Sequence, residues 1–162
     1  MKFLAKLMFM AVLLLGVGCS KSGNAHRSGS LVSFECRYST ALIEAKDNRY
    51  AVISYYALKE ENGEFKGVAN RVSRDAPESY SVEFTANKEA MSDLQELINE
   101  IEITKLKGIN NDSGINTSDY GFELHIVYED GDSLDCHDNQ QNWLTELQMM
   151  AIRKWFEKTA GI

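Results

Sequence analysis

Hydrophobic and polar residues alternate from Leu31 to Tyr38, which is the pattern of a strand with one buried face. The alternation predicts that Val32, Phe34, Cys36 and Tyr38 face the core and that the residues between them face solvent. The first strand is therefore predicted to border a hydrophobic core.

Three further segments have the composition of strands. Residues 50–58 are rich in Tyr, Val and Ile, and the turn sequence at residues 61–63, Glu-Asn-Gly, separates them from residues 65–72. These two segments are predicted to form a hairpin. After the single proline, Pro77, residues 80–85 alternate again. The first four strands are therefore predicted to form a meander.

The apolar period changes from two residues to about 3.6 after Asn87, which is a favourable N-cap residue. This change predicts a first helix with its apolar stripe on the sheet. A second helix is predicted for residues 140–159, with its cap near Asp138 or Asn139. The predicted stripes are Met91, Leu94, Leu97, Ile98 and Ile101 in the first helix, and Trp143, Leu144, Leu147, Met150, Ala151, Trp155 and Phe156 in the second.

A second hairpin is predicted around the Asp-Gly pair at residues 130 and 131. A two-residue loop would put the apolar positions of its two strands on opposite faces. A three-residue loop, 129–131, with a left-handed glycine instead pairs Ile126 with Leu134 and Leu124 with Cys136. The three-residue loop is therefore predicted.

Together these elements predict one α+β domain over residues 31–162, with the element order ββββαββα. An antiparallel sheet of about six strands is expected to pack against the two helices. Residues 107–119 form a long loop, which is either a candidate binding element or a flexible connection. Tyr55 and Tyr120 are predicted to face outward, where they either belong to a binding surface or simply reflect strand composition.

The balance of charges argues against nucleic acid as a partner. The chain has 17 Lys and Arg residues against 24 Asp and Glu residues, which gives a formal net charge of −7. Residues 1–18 contain two lysines and no acid, so their removal brings the net charge to −9. Negative charge of this size disfavours phosphate backbones and anionic lipid headgroups as binding partners.

The N-terminal segment, residues 1–18, has the organisation of a signal peptide. Two lysines flank an apolar run that ends at residue 17 and is too short for a membrane-spanning helix. Residues 15–19, Leu-Gly-Val-Gly-Cys, resemble a bacterial lipobox, although glycine stands where that family usually has leucine. The resemblance implies cleavage before Cys19 and attachment of a diacylglyceryl group to its thiol. The alternatives are a plain signal peptide followed by an unmodified cysteine, or an uncleaved anchor.

Residues 20–30 are rich in Ser and Gly, so we expect a flexible tether between Cys19 and the domain. Random-coil scaling gives this tether a span on the order of 18 Å, which keeps the domain near the membrane surface. Ser20 stands where aspartate marks retention in the inner membrane of enteric bacteria. The resemblance therefore implies a lipid-anchored domain outside the cytoplasm. It would lie on the cell membrane or, in a host with two membranes, on the periplasmic side of the outer membrane.

The predicted hairpin pairing brings His and acidic side chains together on its outer face. His125 comes opposite Asp135, and Glu123 comes opposite His137. Neutral imidazoles and carboxylates are ligands that zinc and similar divalent ions use, so these four residues are a candidate metal site. The alternative is a set of exposed cross-strand pairs with small energetic weight.

Two cysteines remain when Cys19 is set aside. Cys36 and Cys136 both fall on inward faces of predicted strands. In an exported domain they either form a disulfide or remain as two buried thiols that act as small hydrophobic residues.

Residues 120–131 and the helix after them resemble the end of a small domain that recurs in lipoproteins of gut bacteria; this resemblance implies no activity. The chain lacks Gly-x-Ser-x-Gly, His-Glu-x-x-His and Cys-x-x-Cys motifs, so no catalytic residue and no cofactor are predicted. The sequence therefore favours a binding module of the cell envelope, with the membrane and another envelope protein as its partners. The alternative function is a metal-dependent envelope hydrolase that uses His125 and His137.

Overall fold

The computed structural model describes part of the chain, namely residues 29–39, 52–73, 79–112 and 121–162. The predicted signal peptide, Cys19 and most of the predicted tether lie outside the described residues, as do Pro77 and Tyr120. Within the described ranges, no helix is both long enough and apolar enough to cross a bilayer.

The described residues form a seven-stranded sheet with two α-helices and a short 3₁₀-helix at Ile103–Leu106. In chain order the strands and helices are β1 (Leu31–Ser39), β2 (Val52–Glu61), β3 (Glu64–Ser73), β4 (Tyr80–Ala86), α1 (Lys88–Glu100), β5 (Asn110–Asn111), β6 (Phe122–Tyr128), β7 (Ser133–Asp138) and α2 (Glu146–Ala160).

The strands lie side by side in the order β4-β3-β2-β1-β6-β7-β5. Neighbouring strands are antiparallel, except that β5 runs parallel to β7. The domain is therefore α+β with a mixed sheet, which differs from the expected antiparallel sheet of six strands by the added strand β5. This strand lies inside the region that the sequence predicts as a loop. It is two residues long, which is too short to produce an alternating pattern.

Both predicted hairpin turns are present. Asn62 and Gly63 have φ angles of 54° and 82°, the left-handed pair that a two-residue loop between β2 and β3 requires. In the β6–β7 hairpin, the amide of Tyr128 donates to the carbonyl of Asp132 at 2.9 Å, and Gly131 has a φ of 82°. The three-residue loop, and with it the pairing of the apolar positions, is confirmed.

The inward face of β1 is confirmed from Phe34 onward, but it is wrong at Val32. A bulge interrupts the pairing of β1 with β6 between Leu31 and Ser33. An extra residue in one strand reverses the alternation on its far side. Leu31 is consequently 3% exposed, and Val32 is only partly buried.

The first helix is confirmed together with its cap. The side chain of Asn87 accepts a hydrogen bond from the amide of Ala90 at 2.9 Å, which satisfies one of the free amides of the first turn. The buried residues of α1 all belong to the predicted apolar stripe. They are Met91, Leu94 and Ile98.

The second helix is confirmed, but it begins at Glu146 rather than near residue 140. Its N-cap is Thr145, whose side chain accepts from the amide of Gln148 while the side chain of Gln148 accepts from the amide of Thr145. This reciprocal pair of bonds is a capping box, and it sets where the helix starts.

Asp138 is not the helix cap that the sequence predicts. Its Oδ1 accepts from the amides of Gln140 and Gln141 at 2.8 and 2.9 Å, and its Oδ2 accepts from the indole Nε1 of Trp143 at 2.8 Å and from Asn111 Nδ2 at 3.0 Å. A side chain that bonds nearby amides in this way competes with helix formation. The carboxylate therefore holds a loop before α2 and ties that loop to β5.

The later start of α2 also changes which residues it buries. Leu147 and Met150 were predicted on the inward stripe but are 78% and 41% exposed. Trp143 precedes the helix and is 40% exposed. The residues that α2 buries are Met149, Ile152 and Phe156.

Both helices pack on the same face of the sheet. The buried side chains of β1, β2, β3, β6 and β7 form one cluster with those of α1 and α2. The opposite face, which we call the open face, carries no helix of the described chain. Most described side chains on the open face are partly or fully exposed, with Ser39 and Ala57 as buried exceptions, so this face is a candidate binding surface.

Candidate binding surface

The His and acidic residues of the β6–β7 hairpin lie on the open face in the predicted register. His125 is opposite Asp135, and Glu123 is opposite His137. The Nδ1 atom of His125 contacts a carboxylate oxygen of Asp135. This hydrogen bond holds the pKa of Asp135 below its usual value.

The side chains of these four residues do not converge on one point. His125 contacts Asp135, whereas Glu123 has its partner on β1. Glu123 lies 3.5 Å from the guanidinium of Arg37 on β1. Among the residues that the structure describes, no three His, Cys, Asp or Glu side chains come close enough together to hold a metal ion. Metal binding by His125, His137, Asp135 and Glu123 stays a prediction.

Ion pairs and hydrogen bonds continue across the open face from β1 to β2. The carboxylate of Glu35 accepts from the hydroxyl of Tyr55 at 3.0 Å and contacts the ammonium of Lys59. Burial raises the pKa of Glu35, but Lys59, Tyr55 and the nearby His125 outweigh that effect and lower it. Burial, and then Glu35, raises the pKa of Tyr55 to about 12, so Tyr55 remains a neutral donor.

A shallow groove of about 590 Å³ crosses the open face from β2 to β4. Ala57 and Val68, which are paired across β2 and β3, lie in it side by side. Lys59, Lys66 and Glu83 are among its charged residues. Val68 is partly exposed whereas Ala57 is 4% exposed, so the groove is a mostly polar surface with a small apolar centre, as is found in many non-obligate protein-binding sites.

The two edges of the sheet differ strongly in length. Among the described strands, β5 ends the sheet with two residues, whereas β4 ends it with seven and has a strand neighbour on one side. Ser81, Glu83 and Thr85 alternate as exposed residues along β4, and Glu83 and Thr85 line the groove. Natural sheets usually shorten or cover their edges, so a full-length open edge indicates a place for another strand.

The start of β1 is fastened to α1 by a single side chain. The Oε1 of Gln95 accepts from the amide of Leu31 at 2.9 Å, and its Nε2 donates to the carbonyl of Gly29 at 3.0 Å. Because β1 to β4 alternate in direction, the end of β4 at Ala86 lies at the same end of the sheet as Leu31. One end of the open edge therefore lies at the same end of the sheet as the start of β1, three strands away from it.

The two cysteines are free, buried thiols. Cys36 is paired with Leu124, and Leu124 is paired with Cys136, so a whole strand lies between the cysteines. Two strand spacings amount to about 10 Å, whereas a disulfide joins Cα atoms about 4.4–6.8 Å apart. Burial raises the pKa of both thiols. The arrangement corresponds to the second sequence alternative, two small buried hydrophobic residues.

The sequence reasoning missed the residues that this surface depends on. It predicts β4 and its alternation, but no local pattern says that a strand lies at an edge, so Ser81 and Glu83 were not singled out. It does predict that Tyr55 faces outward, as the structure has it. The predicted loop at 107–119 contains β5 in its described part, and its remainder lies outside the described residues.

Comparison with known proteins adds no relative to this description. No protein-family model matches the chain, and neither curated proteins nor solved structures show significant similarity to it.

Proposed function

We propose that this protein is a lipid-anchored binding module of the cell envelope, and that it binds an extended segment of another envelope protein along β4. The observation that supports this is the difference in length between the two edge strands of the described sheet. The strand β5 has two residues, whereas β4 has seven. Main-chain groups on an open edge strand pair with an added strand, which supplies affinity, and alternate side chains of that strand supply specificity.

The groove beside β4 supports this mode of binding. Every second side chain of an added strand would point to the open face beside Glu83 and Thr85, and a long side chain there would reach across β4 to Val68. Glu83 lies opposite Val68 on β4, and Lys66 lies two residues before Val68 on β3, so both would discriminate by charge. The binding surface therefore consists of the β4 edge and the groove together.

The N-terminal sequence supports a membrane-bound partner. A lipidated Cys19 with a short tether would place residue Leu31 close to the bilayer. Since β4 ends at the same end of the sheet, its edge would lie within reach of another protein in the same membrane. Two or three acyl chains would make the attachment effectively permanent, because each buried methylene contributes about 0.8 kcal/mol.

Lysines on the edge strand are expected to prevent binding. The double variant Ser81→Lys with Glu83→Lys adds two positive charges to β4 and reverses one charge of the groove, and charged residues are a natural means of blocking an edge. We expect the partner that co-purifies with the protein from mildly solubilised envelope to fall by about tenfold or more, equivalent to about 1.4 kcal/mol. Quantitative mass spectrometry of the purified complex measures the change.

The matched control is Ser92→Lys with Glu96→Lys on the exposed side of α1, which makes the same chemical changes away from the edge. It is expected to retain the partner, and both double variants are expected to keep the native circular dichroism spectrum. Equal retention by the two variants would contradict the use of β4. Equal loss would show a general charge effect and would contradict it as well.

The anchor is tested by a separate variant, Cys19→Ser. In a bacterial host that grows on an alkyne-labelled fatty acid, the natural chain is expected to carry the label and to sediment with membranes, because only the thiol accepts the diacylglyceryl group. The serine variant is expected to lose the label. A labelled serine variant, or an unlabelled natural chain, would rule out lipidation at Cys19.

A further inference from the structure

The helix-covered side of β4 is apolar and partly exposed. A strand paired with β4 would place every second side chain beside this row. Apolar side chains at those positions would bury the apolar surface that the edge leaves in contact with water. The residues of the row are Tyr80, Val82, Phe84 and Ala86.

The two aromatic side chains of this row leave the edge accessible. The hydroxyl of Tyr80 lies 3.0 Å from that of Tyr56 on β2 and donates to Glu157 on α2, also at 3.0 Å. The ring of Phe84 lies over Gly67 on β3, where a Cβ atom would come within 2.2 Å of the ring. Because both side chains lean toward the inside of the sheet, neither of them covers the main chain of β4.

On the open face, the groove beside β4 contains one charge without a counterpart. Four charged side chains line the groove. Lys59 contacts Glu35, and the Nζ of Lys66 lies 3.6 Å from the Oε2 of Glu61. Glu83 forms no ion pair within the part of the chain that the structure describes. The carboxylate of Glu83 is therefore the charge that a bound segment can neutralise.

The position of this charge disfavours pairing between two copies of β4. Glu83 is the middle residue of the strand, with three residues on either side. The antiparallel register that pairs the whole strand with its own copy therefore puts Glu83 directly opposite the same residue of the second copy. Like charges directly opposite each other destabilise a strand pair, and charged residues are a natural means of keeping edges apart.

We propose that the segment bound by β4 carries a lysine or arginine opposite Glu83 and apolar residues opposite Val82 and Phe84. The basic side chain lies on the open face, and the apolar side chains lie on the helix-covered side. A second copy of the chain is excluded, because it offers a carboxylate where a cation is required. This inference rests on the function proposed for β4 and specifies the chemistry of the segment that binds there.

The test compares two labelled peptides that differ in one residue. Acetyl-Val-Thr-Val-Lys-Val-Thr-Val-amide has the proposed pattern, and its counterpart has Glu in place of Lys. Fluorescence anisotropy measures their binding to the full-length protein in a mild detergent. We expect the Lys peptide to bind about fivefold or more tightly than the Glu peptide, since an opposite charge replaces a like charge across the strand pair. Equal affinity would overturn this inference and leave the proposed function standing, whereas no binding of either peptide would contradict both.

Charge reversal in the protein locates the effect. Glu83→Lys is expected to reverse the preference, so that the Glu peptide binds more tightly. The control is Glu96→Lys on the exposed side of α1, which makes the same change in net charge and is expected to keep the preference for the Lys peptide. The same preference in both variants would show a general attraction between a basic peptide and an acidic chain, and would overturn the assignment to Glu83.

The exclusion of a second copy is tested by a photo-reactive amino acid in place of Thr85. In the register that pairs the whole strand, this position lies opposite Ser81 of the second copy. We expect no cross-linked dimer when Glu83 is present, and a cross-linked dimer in the variant Glu83→Thr. A dimer in the presence of Glu83, or no dimer in its absence, would contradict the role of Glu83 in excluding a second copy.

Discussion

Replacing Phe156 with alanine is expected to lower the free energy of unfolding by about 3–5 kcal/mol. The side chain is 0% exposed. Its ring lies 4.9–6.2 Å from four other aromatic rings, those of Phe34, Tyr56, Phe84 and Trp155, which belong to β1, β2, β4 and α2. The variant leaves a cavity where the helix meets three strands. Urea denaturation at neutral pH, with the same slope for both proteins, measures the loss.

The control for this experiment is Leu147→Ala in the same helix. Leu147 is one of the most exposed apolar residues of the described chain, so its removal is expected to change the free energy of unfolding by less than about 0.5 kcal/mol. The sequence pattern alone would have ranked the two residues together. Similar losses for the two variants would contradict the placement of α2 on the sheet.

Replacing Asp138 with asparagine is expected to cost about 3 kcal/mol of stability at neutral pH. The carboxylate is buried, and each of its oxygens accepts two hydrogen bonds. An asparagine keeps the shape but has only one acceptor oxygen, so its amide group must face either the two backbone amides or Trp143 and Asn111, all of which are donors. The indole of Trp143 gives a direct signal, since its fluorescence reports the loss of this bond in the folded state.

The cost of this substitution is also expected to depend on pH. Burial raises the pKa of Asp138, but bonds from Trp143, Asn111 and two backbone amides outweigh burial and lower it. A carboxylate with a lowered folded-state pKa stabilises the protein fully above its unfolded pKa of about 3.9 and loses that contribution as the pH falls through the folded value. The difference in stability between the natural protein and Asp138→Asn should therefore narrow below about pH 4. A constant difference in stability from pH 7 downward would contradict a role for the charged carboxylate.

Asp93→Asn, on the exposed side of α1, serves as the control. It should change the free energy of unfolding by less than about 0.5 kcal/mol, both at neutral pH and in acid.

Local physics made much of the fold predictable. The turn at Asn62 and Gly63 follows from their tolerance of positive φ, and the cap at Asn87 follows from its side-chain acceptor. The three-residue loop of the β6–β7 hairpin follows because only that length puts the apolar residues of both strands on one face. In each case the decisive interaction joins residues that are close in sequence.

The remaining features depend on interactions between distant residues. The strand β5 is defined by main-chain bonds to β7, among them that from the amide of His137 to the carbonyl of Ile109. Aspartate is a favourable N-cap residue, but the carboxylate of Asp138 accepts hydrogen bonds from Trp143, Asn111 and the backbone of a turn. The helix α2 therefore starts later, at Glu146. Neither outcome is visible in the local pattern because the competing partner is chosen by the tertiary fold.

The candidate sites also include features that the local sequence predicts and features that depend on the whole sheet. The pairing of His125 with Asp135 was predictable because both residues belong to one hairpin. The alignment of Ser54 and Arg71 between Tyr38 and Tyr80 was not, since it joins four strands whose order across the sheet cannot be read from their sequences. The open edge at β4 has the same origin, because an edge is a property of the whole sheet.

The central proposal is that β4 receives another strand. A direct test places a photo-reactive amino acid at Ser81 on β4, or at Ser92 on α1 as the control, in the full-length protein in living cells. If β4 receives a strand, we expect one discrete cross-linked product from position 81, joined to an extended segment of a second envelope protein, and no such product from position 92. The absence of a product at position 81, or the same products at both positions, would contradict it.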